Sequence, residues 1–83
     1  MEEKQQDILR DPLFETAAKL MVSLGGGKSS DLQKRFSIGY YTSQLMLSAM
    51  EELGILSSAG ADGTRRALID AEQLKTILFV LKR

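Results

Sequence analysis

Apolar residues recur at spacings of three and four along most of the chain, a pattern that predicts amphipathic helices. The first apolar stripe consists of Leu13, Ala17, Leu20, Met21 and Leu24. Asp11 and Pro12 precede it, and this pair is typical of a capping side chain followed by proline at the first helical position. Glycines 25–27 follow the stripe, so a first helix is expected to end there.

Two further helices are predicted between Ser30 and Gly54. Ser30 and Gln33 form a capping-box pattern, which predicts a short second helix ending near Phe36. Residues 37–39 form the following turn, and a third helix is expected to begin at Tyr40. Its predicted buried face consists of Met46, Leu47, Met50 and Leu53, and Gly54 is expected to close it in the left-handed conformation.

The last third of the chain combines strand and helix signals. Segments 55–57 and 65–69 are short strand candidates, and the Asp62–Gly63 turn signal between them predicts a β-hairpin. Asp70 and Gln73 repeat the capping-box pattern and predict a final helix. The apolar stripe of that helix consists of Leu74, Ile77, Leu78 and Leu81.

This order of elements predicts a mainly α fold with a small β-hairpin (α+β). The specific expectation is a winged helix-turn-helix with a three-helix core, a wing and an extra C-terminal helix. Residues 1–10 are expected to form a polar N-terminal lead-in, residues 11–70 the winged-helix domain, and residues 71–83 an amphipathic C-terminal helix. A chain of 83 residues allows one modest core, because it buries only about 60% of its unfolded surface.

Composition argues against catalysis. The chain has no Cys and no His, so disulfides, thiolate metal sites and the commonest general base are excluded. We therefore expect no enzyme activity, no metal, no cofactor and no small-molecule substrate. No apolar run approaches the roughly 20 residues that a membrane span requires, and the expected location is the cytoplasm.

The charge balance leaves the partner open. Eleven basic and eleven acidic residues give a formal net charge of zero, whereas a free-standing nucleic-acid binder is usually basic. A neutral module can still bind DNA if its charges are segregated onto one face. Scattered solubilising charge is the alternative interpretation of the same basic residues.

The candidate DNA contacts fall at the second helix, at the start of the third helix and in the second strand of the hairpin. They are Lys28, Ser29, Lys34, Arg35, Tyr40, Tyr41, Thr42, Gln44, Arg65 and Arg66. Polar side chains at the start of the third helix are suited to base edges, although the same residues could face water while one Tyr packs on the core. Residues 25–29 resemble a phosphate-binding loop, but Val22 stands where that motif needs glycine. A flexible loop between two helices is expected instead.

A protein interface is the alternative use of the apolar residues. The candidates are Leu45, Leu74, Ile77, Leu78 and Leu81. The stripe of the final helix either packs over the open side of the same domain or forms the seam of a homodimer.

Three segments resemble the γ domain of the FtsK/SpoIIIE DNA translocases. They are Asp-Pro-Leu-Phe-Glu at 11–15, Leu-Gln-Lys-Arg-Phe-Ser-Ile-Gly-Tyr at 32–40 and Met-Glu-Glu-Leu-Gly-Ile at 50–55. The resemblance covers residues 11 to 69. It implies a winged helix attached to a hexameric motor, which reads short, G-rich, oriented chromosomal sequences. It also implies double-stranded DNA as a partner, and a translocase or recombinase as a possible protein partner.

The chain departs from this family at the start of the third helix. Tyr41, Thr42 and Leu45 stand where the family usually has Asn and two Arg, so guanine recognition of the family type is not carried over. No ATPase accompanies the domain, which leads us to expect a stand-alone relative from a phage or mobile element, or a fragment of a larger translocase.

Two functions from different classes therefore remain. The leading hypothesis is a non-catalytic DNA-binding module that contacts duplex DNA through the third helix and the wing, in sequence-directed translocation or in regulation on a mobile element. The competing hypothesis is a protein-interaction or dimerisation domain on the same scaffold, with Tyr41 and Leu45 as an apolar hot spot.

Overall fold

The computed structural model describes residues 8–82, which contain four helices and one two-stranded antiparallel sheet. The helices are α1 (Pro12–Leu24), α2 (Ser29–Phe36), α3 (Tyr40–Glu52) and α4 (Ala71–Leu81), and the strands are β1 (Gly26–Gly27) and β2 (Arg65–Arg66). Residues 8–10 are also helical. The predicted mainly α class with a small sheet is confirmed. Residues 1–7 of the predicted lead-in, and residue 83 of the predicted final segment, lie outside the described part.

The first helix begins and ends where its capping residues predict. The Asp11 carboxylate accepts a hydrogen bond from the backbone N–H of Leu13 at 2.9 Å, and Pro12 occupies the first turn. Gly25 ends the helix in the left-handed conformation, with φ of 80°. Its N–H is directed at the Met21 and Val22 carbonyls, which satisfies acceptors that the helix leaves open.

The buried face of α1 differs from the predicted stripe. Phe14, Ala17, Ala18 and Met21 are buried, whereas Leu24 is 59% exposed. Both α3 and α4 pack against α1, so its buried face is broader than one stripe and is displaced from Leu24. The two alanines allow this close approach because they have the smallest apolar side chains.

The capping box predicted at Ser30 and Gln33 is wrong. The N-cap is Lys28, two residues earlier than predicted, so α2 begins at Ser29, and the Asp31 carboxylate accepts from the backbone N–H of Lys28 at 2.8 Å. Gln33 instead donates to the Ser29 hydroxyl at 2.9 Å. The Asp31 carboxylate, at the third helical position, satisfies the N–H of the actual N-cap, Lys28, in the way that Gln33 was predicted to satisfy that of Ser30.

Residues 37–39 connect α2 to α3, as predicted. Ser37 has φ of 54°, a left-handed conformation that is uncommon for a residue with a Cβ. This conformation ends α2, and α3 starts three residues later at Tyr40. At the other end of α3, Gly54 has φ of 79°, as predicted for a residue that terminates a helix.

The final helix is capped as predicted and belongs to the same core. Gln73 N–H donates to the Asp70 carboxylate at 2.8 Å, and Asp70 N–H donates to the Gln73 side-chain oxygen at 3.0 Å. Helix α4 packs against α1, with Leu74 and Leu78 buried. Ile8, which the sequence assigns to a polar lead-in, is also buried in this core.

The sheet is not the predicted hairpin. Gly26 and Gly27, expected in a flexible loop, pair antiparallel with Arg66 and Arg65 respectively. The predicted partner segment 55–57 lies along the other edge of β2, where it forms a single bridge between Leu56 and Ala67. Ser57 N–H donates to the Arg66 carbonyl at 2.8 Å, so segments 55–57 and 65–67 do run together around the predicted turn.

Glycine is required in β1 because two backbones approach each other closely there. A Cβ placed on Gly26 would lie 2.1 Å from the Arg65 carbonyl oxygen, and Gly26 has φ of 130°. The next residues continue the contact, since Ala67 N–H donates to the Gly25 carbonyl at 3.0 Å. The pair of glycines therefore attaches the segment after α1 directly to β2.

We predict that Gly26→Ala destabilises the fold strongly. The substitution forces β1 away from β2 and should lower the free energy of unfolding by more than about 3 kcal/mol, because steric conflict is added to a strained backbone. Gly25→Ala is the matched control, since Gly25 also has a positive φ but has nothing within 4 Å of the added Cβ. It should cost only about 1–2 kcal/mol. Urea unfolding of both variants measures the difference, and equal losses would contradict the close-approach explanation.

We also predict an acid-dependent contact between α1 and α4. Lys82 hydrogen-bonds the Glu15 carboxylate at 2.7 Å, and Lys19 lies at 3.0 Å. The Lys82 hydrogen bond, followed by that of Lys19, lowers the pKa of Glu15 below its usual value of 4.5. A lowered folded-state pKa contributes stability that is present above the unfolded pKa and is lost as pH falls through the folded pKa.

Thermal unfolding of Glu15→Gln should test this contact. The melting temperature of the variant should lie below that of the parent protein at pH 7, and the two should converge as the pH drops below 4.5. Glu72→Gln is the control, because the Glu72 carboxylate is 82% exposed and lies 3.6 Å from Lys75. A difference for Glu15→Gln that persists unchanged into acid would show that the pair is not responsible.

Candidate nucleic-acid interface

A cleft lies between the start of α2, the first two turns of α3 and the loop of residues 58–64. It has a volume of about 320 Å³. Lys28, Gln33, Tyr40, Gln44 and Asp62 are among the residues that line it. The fold thus brings predicted site residues from three separate segments to one concave surface.

Ser29 lines this cleft, but its hydroxyl is already hydrogen-bonded within the chain. Its hydroxyl is hydrogen-bonded to the Ser43 hydroxyl and accepts from Gln33, and Ser43 in turn donates to the Tyr40 carbonyl at 2.7 Å. Ser29 is 9% exposed and Ser43 is fully buried. This chain of hydrogen bonds joins α2 to α3 and gives Ser29 a structural role, whereas its predicted contact with DNA stays a prediction.

Arg65 is likewise a structural residue. Its guanidinium donates to the Glu51 carboxylate at 2.6 Å and to the Ser57 carbonyl at 3.3 Å, and its side chain is only 9% exposed. Arg65 also lines the cleft, and its predicted phosphate contact stays a prediction. The ion pair connects β2 to the last turn of α3, and it satisfies a charge that would otherwise be costly to bury.

Three other predicted cations remain available to a ligand. Lys34 and Arg35 are exposed in the last turn of α2, and Arg66 is exposed in β2. Within residues 8–82, none of their side chains forms an ion pair. Lys28 is exposed too, but its charge acts on the nearby Asp62.

The lysines on the α1 and α4 side are paired instead. Lys19 and Lys82 both contact Glu15, and Lys75 contacts Glu72. Arg10 has no ion-pair partner among the described residues and lies beside Leu81 at that end of the molecule. Carboxylates elsewhere are engaged in capping, as at Asp11, Asp31 and Asp70. Zero net charge thus conceals an uneven distribution, with unneutralised positive charge on α2 and β2.

Asp62 adds a negative charge to the mouth of the cleft. The backbone N–H of Thr64 hydrogen-bonds its carboxylate at 3.0 Å. That hydrogen bond, together with a weaker contribution from Lys28, lowers the pKa of Asp62 below its usual value of 3.8. The carboxylate is therefore ionised near neutral pH, which favours hydrogen-bond donors rather than phosphate at this point of the cleft.

The first turns of α3 present polar and aromatic groups to the surface. Tyr40 is 63% exposed and Tyr41 is 57% exposed, while Thr42 and Gln44 are half-buried. Leu45, predicted as a protein-contact residue, is half-buried and packs against the core of its own chain.

The predicted dimer residues of α4 are mostly occupied within the chain. Leu74 and Leu78 are buried, and Ile77 and Leu81 are half-buried against the core. The apolar residues that α4 does expose are Phe79 and Val80, at 66% and 59%. Because α1 and α4 lie side by side, the apolar stripe of α4 packs against the core of its own chain.

Sequence patterns did not reveal two features of the site. The Arg65–Glu51 and Ser29–Ser43 contacts each join residues 14 positions apart, and no local motif marks such a pairing.

Within residues 8–82, no cluster of three potential metal-ligating side chains occurs. The helices in that range also lack the length and apolar character required to traverse a bilayer.

Comparison with known proteins places most of this surface within a recognised domain. The family model described as "Ftsk gamma domain" matches residues 9–70. The chain is similar to DNA translocase FtsK of Vibrio parahaemolyticus serotype O3:K6 (strain RIMD 2210633), with 34% identity over 70 residues, 84% of this chain and 7% of that protein. It is 36% identical to DNA translocase SftA of Bacillus subtilis (strain 168) over 64 residues, 77% of this chain and 7% of that protein.

DNA translocase SpoIIIE of Bacillus subtilis (strain 168) is also similar, with 33% identity over 63 residues, 76% of this chain and 8% of that protein. The chain therefore spans only 7–8% of the length of these three bacterial relatives. The family match ends immediately before α4 begins at Ala71.

We predict that substitution of the two neighbouring arginines of β2 changes the free energy of unfolding by different amounts. Arg65→Gln should lower the free energy of unfolding by about 1–3 kcal/mol, because it removes charge-assisted hydrogen bonds from a buried position. Arg66→Gln, the matched control, should change stability by less than about 0.5 kcal/mol, because the Arg66 side chain is exposed. Chemical denaturation of both variants measures this, and equal stability of the two would refute the structural assignment of Arg65.

Proposed function

Since the chain belongs to the FtsK gamma-domain family, we propose that it is a non-catalytic winged-helix module that binds double-stranded DNA. In this proposal, α2 and α3 form the helix-turn-helix, and the first turns of α3 enter the major groove. Segments 55–57 and 65–66, with the loop between them, form the wing. The relatives' names identify them as DNA translocases, which supports a DNA-related role for this chain.

The distribution of unpaired cations is the observation on which the proposal rests. Lys34 and Arg35 lie in the last turn of α2, which residues 37–39 join to the start of α3. Arg66 lies in β2, and its neighbour Arg65 lines the same cleft as Tyr40 and Gln44. Phosphate contacts from such positions fix the orientation of a protein on the duplex. Lys28 is a weaker candidate because it is close to Asp62.

The α3 surface complements these phosphate contacts. Tyr40, Tyr41, Thr42 and Gln44 supply hydroxyl and amide groups that can meet base edges. The exposed aromatic rings at the start of the helix also provide contact area. Base contacts are thus assigned to α3, and phosphate contacts to α2 and β2.

Two cellular roles fit this proposal. The domain would direct a DNA translocase along oriented sites, as a part or a partner of such a motor, or it would act as a regulator on a mobile element. A recombinase is a further possible partner. Binding of another protein, or of a second copy through α4, is the competing function, and the exposure of Phe79 and Val80 is the observation that favours it.

We predict that the double variant Lys34→Ala/Arg35→Ala loses salt-dependent DNA binding. Each lost phosphate contact should reduce the slope of log affinity against log salt by about 1, giving a total reduction of about 2. Fluorescence anisotropy with a mixed-sequence duplex, titrated across a range of salt concentrations, measures the slope.

The control is Lys19→Ala/Lys75→Ala, which removes the same charge from ion-paired lysines on α1 and α4. It should leave the slope essentially unchanged. Equal effects of the two double variants would mean that only net charge matters and would contradict the proposed orientation. An absence of binding by the parent protein at low salt would reject DNA binding and favour the protein-interaction function.

A further inference from the structure

The exposed surface of α3 has an unusual composition for a helix that enters the major groove. Residues 40–52 include no Lys and no Arg. Guanine is most often recognised by Arg or Lys, which donate to its O6 and N7 acceptors. A helix without either residue lacks the side chains that select G·C pairs in this way.

Gln44 is the side chain on this surface that is best suited to selective base recognition. It lies one helical turn after Tyr40, and both residues line the cleft. Within residues 8–82, its amide forms no hydrogen bond. Gln44 is half-buried, so the position of its side chain is restrained while its amide remains available.

The amide of glutamine matches adenine and mismatches guanine. Adenine presents an acceptor at N7 and a donor at N6, which pair with the donor and the acceptor of one amide. Guanine presents acceptors at both N7 and O6, so the amide oxygen would face another acceptor.

Asp62 disfavours guanine beside Gln44. Its carboxylate lines the same cleft as Gln44, and a hydrogen bond from Thr64 N–H at 3.0 Å anchors it there. A carboxylate accepts hydrogen bonds and donates none when ionised. It therefore accepts from the exocyclic amine of adenine or of cytosine and opposes the O6 acceptor of guanine, so the preference for adenine rests on Gln44.

The opposite end of α3 limits how much of the helix meets DNA. Glu52 is exposed in the last turn, beside Glu51. Glu51 is paired with Arg65, but the Glu52 carboxylate forms no ion pair within residues 8–82. It repels the phosphate backbone, so close contact is expected in the first two turns. Gln44 lies within that part of the helix.

We infer that α3 selects A·T base pairs in the major groove, with Gln44 as the residue that recognises adenine. This inference rests on the proposed DNA-binding function and specifies the sequence class that the same surface reads. Lys34, Arg35 and Arg66 contribute affinity to any sequence, whereas Gln44 contributes the preference.

Competition between matched duplexes tests the inference. Anisotropy is measured with one AT-rich and one GC-rich duplex of equal length and irregular base order, at several salt concentrations. The AT-rich duplex should bind about 10-fold more tightly. Replacement of its adenines by 7-deazaadenine, which removes N7 without disturbing base pairing, should abolish most of this preference. The same replacement of guanine in the GC-rich duplex should have no effect.

Two variants separate recognition from charge. Gln44→Met keeps the length and neutrality of the side chain and should eliminate the preference while leaving the salt slope unchanged. Lys34→Ala/Arg35→Ala should reduce the salt slope while keeping the preference. Because 7-deazaadenine alters only the DNA, its result is independent of the folding of any variant.

The outcomes distinguish the inference from the function on which it rests. Equal affinity for both duplexes, with normal salt dependence, would overturn adenine recognition and leave DNA binding intact. A preference that survives both 7-deazaadenine and Gln44→Met would also overturn it. An absence of binding to either duplex at low salt would reject the proposed function and the inference together.

Discussion

The antiparallel contact between Gly26–Gly27 and Arg65–Arg66 is the constraint on which the rest of the structure depends. It connects the segment between α1 and α2 to the strand that follows the 58–64 loop. The approach is so close that a side chain on Gly26 would collide with the Arg65 carbonyl. Once β2 is held there, Arg65 reaches Glu51 on α3 and Ser57 on the neighbouring segment. The positions of the loop and of α3 relative to each other therefore follow from one backbone contact and one ion pair.

A second consequence of the fold is the separation of paired from unpaired charge. Glu15 receives two lysines because α1 and α4 lie side by side, and Glu51 neutralises Arg65 because β2 crosses near the end of α3. No carboxylate among the described residues pairs with Lys34 or Arg35. A formal net charge of zero is thus compatible with a local positive surface, since affinity for DNA depends on local charge as well as on the total.

The cleft beside α3 contains side chains that are hydrogen-bonded within the chain and others that have no such partner among the described residues. Ser29, Ser43 and Gln33 are hydrogen-bonded to one another and hold α2 against α3. Tyr40 and Gln44 line the cleft beside this network, and the half-buried Gln44 forms no side-chain hydrogen bond within residues 8–82. Binding groups on a supporting structure that is already ordered require little reorganisation on binding. The final helix α4 lies outside the family match, and it completes the core by covering α1.

The sequence by itself determined the four helices and most of their ends, the start of α2 excepted, because caps, glycines and apolar spacing act over three or four residues. Asp11, Gly54 and the Asp70–Gln73 box are examples in which local chemistry sufficed. The family, too, was evident from short motifs. Only the tertiary structure decided that glycines 26 and 27 form a strand, that Arg65 and Ser29 are internal, and that Leu74 and Leu78 belong to the core. Each of these outcomes depends on a partner far away in the chain, such as Glu51 for Arg65. Local patterns carry no information about which distant group will satisfy a buried charge, hydroxyl or apolar side chain.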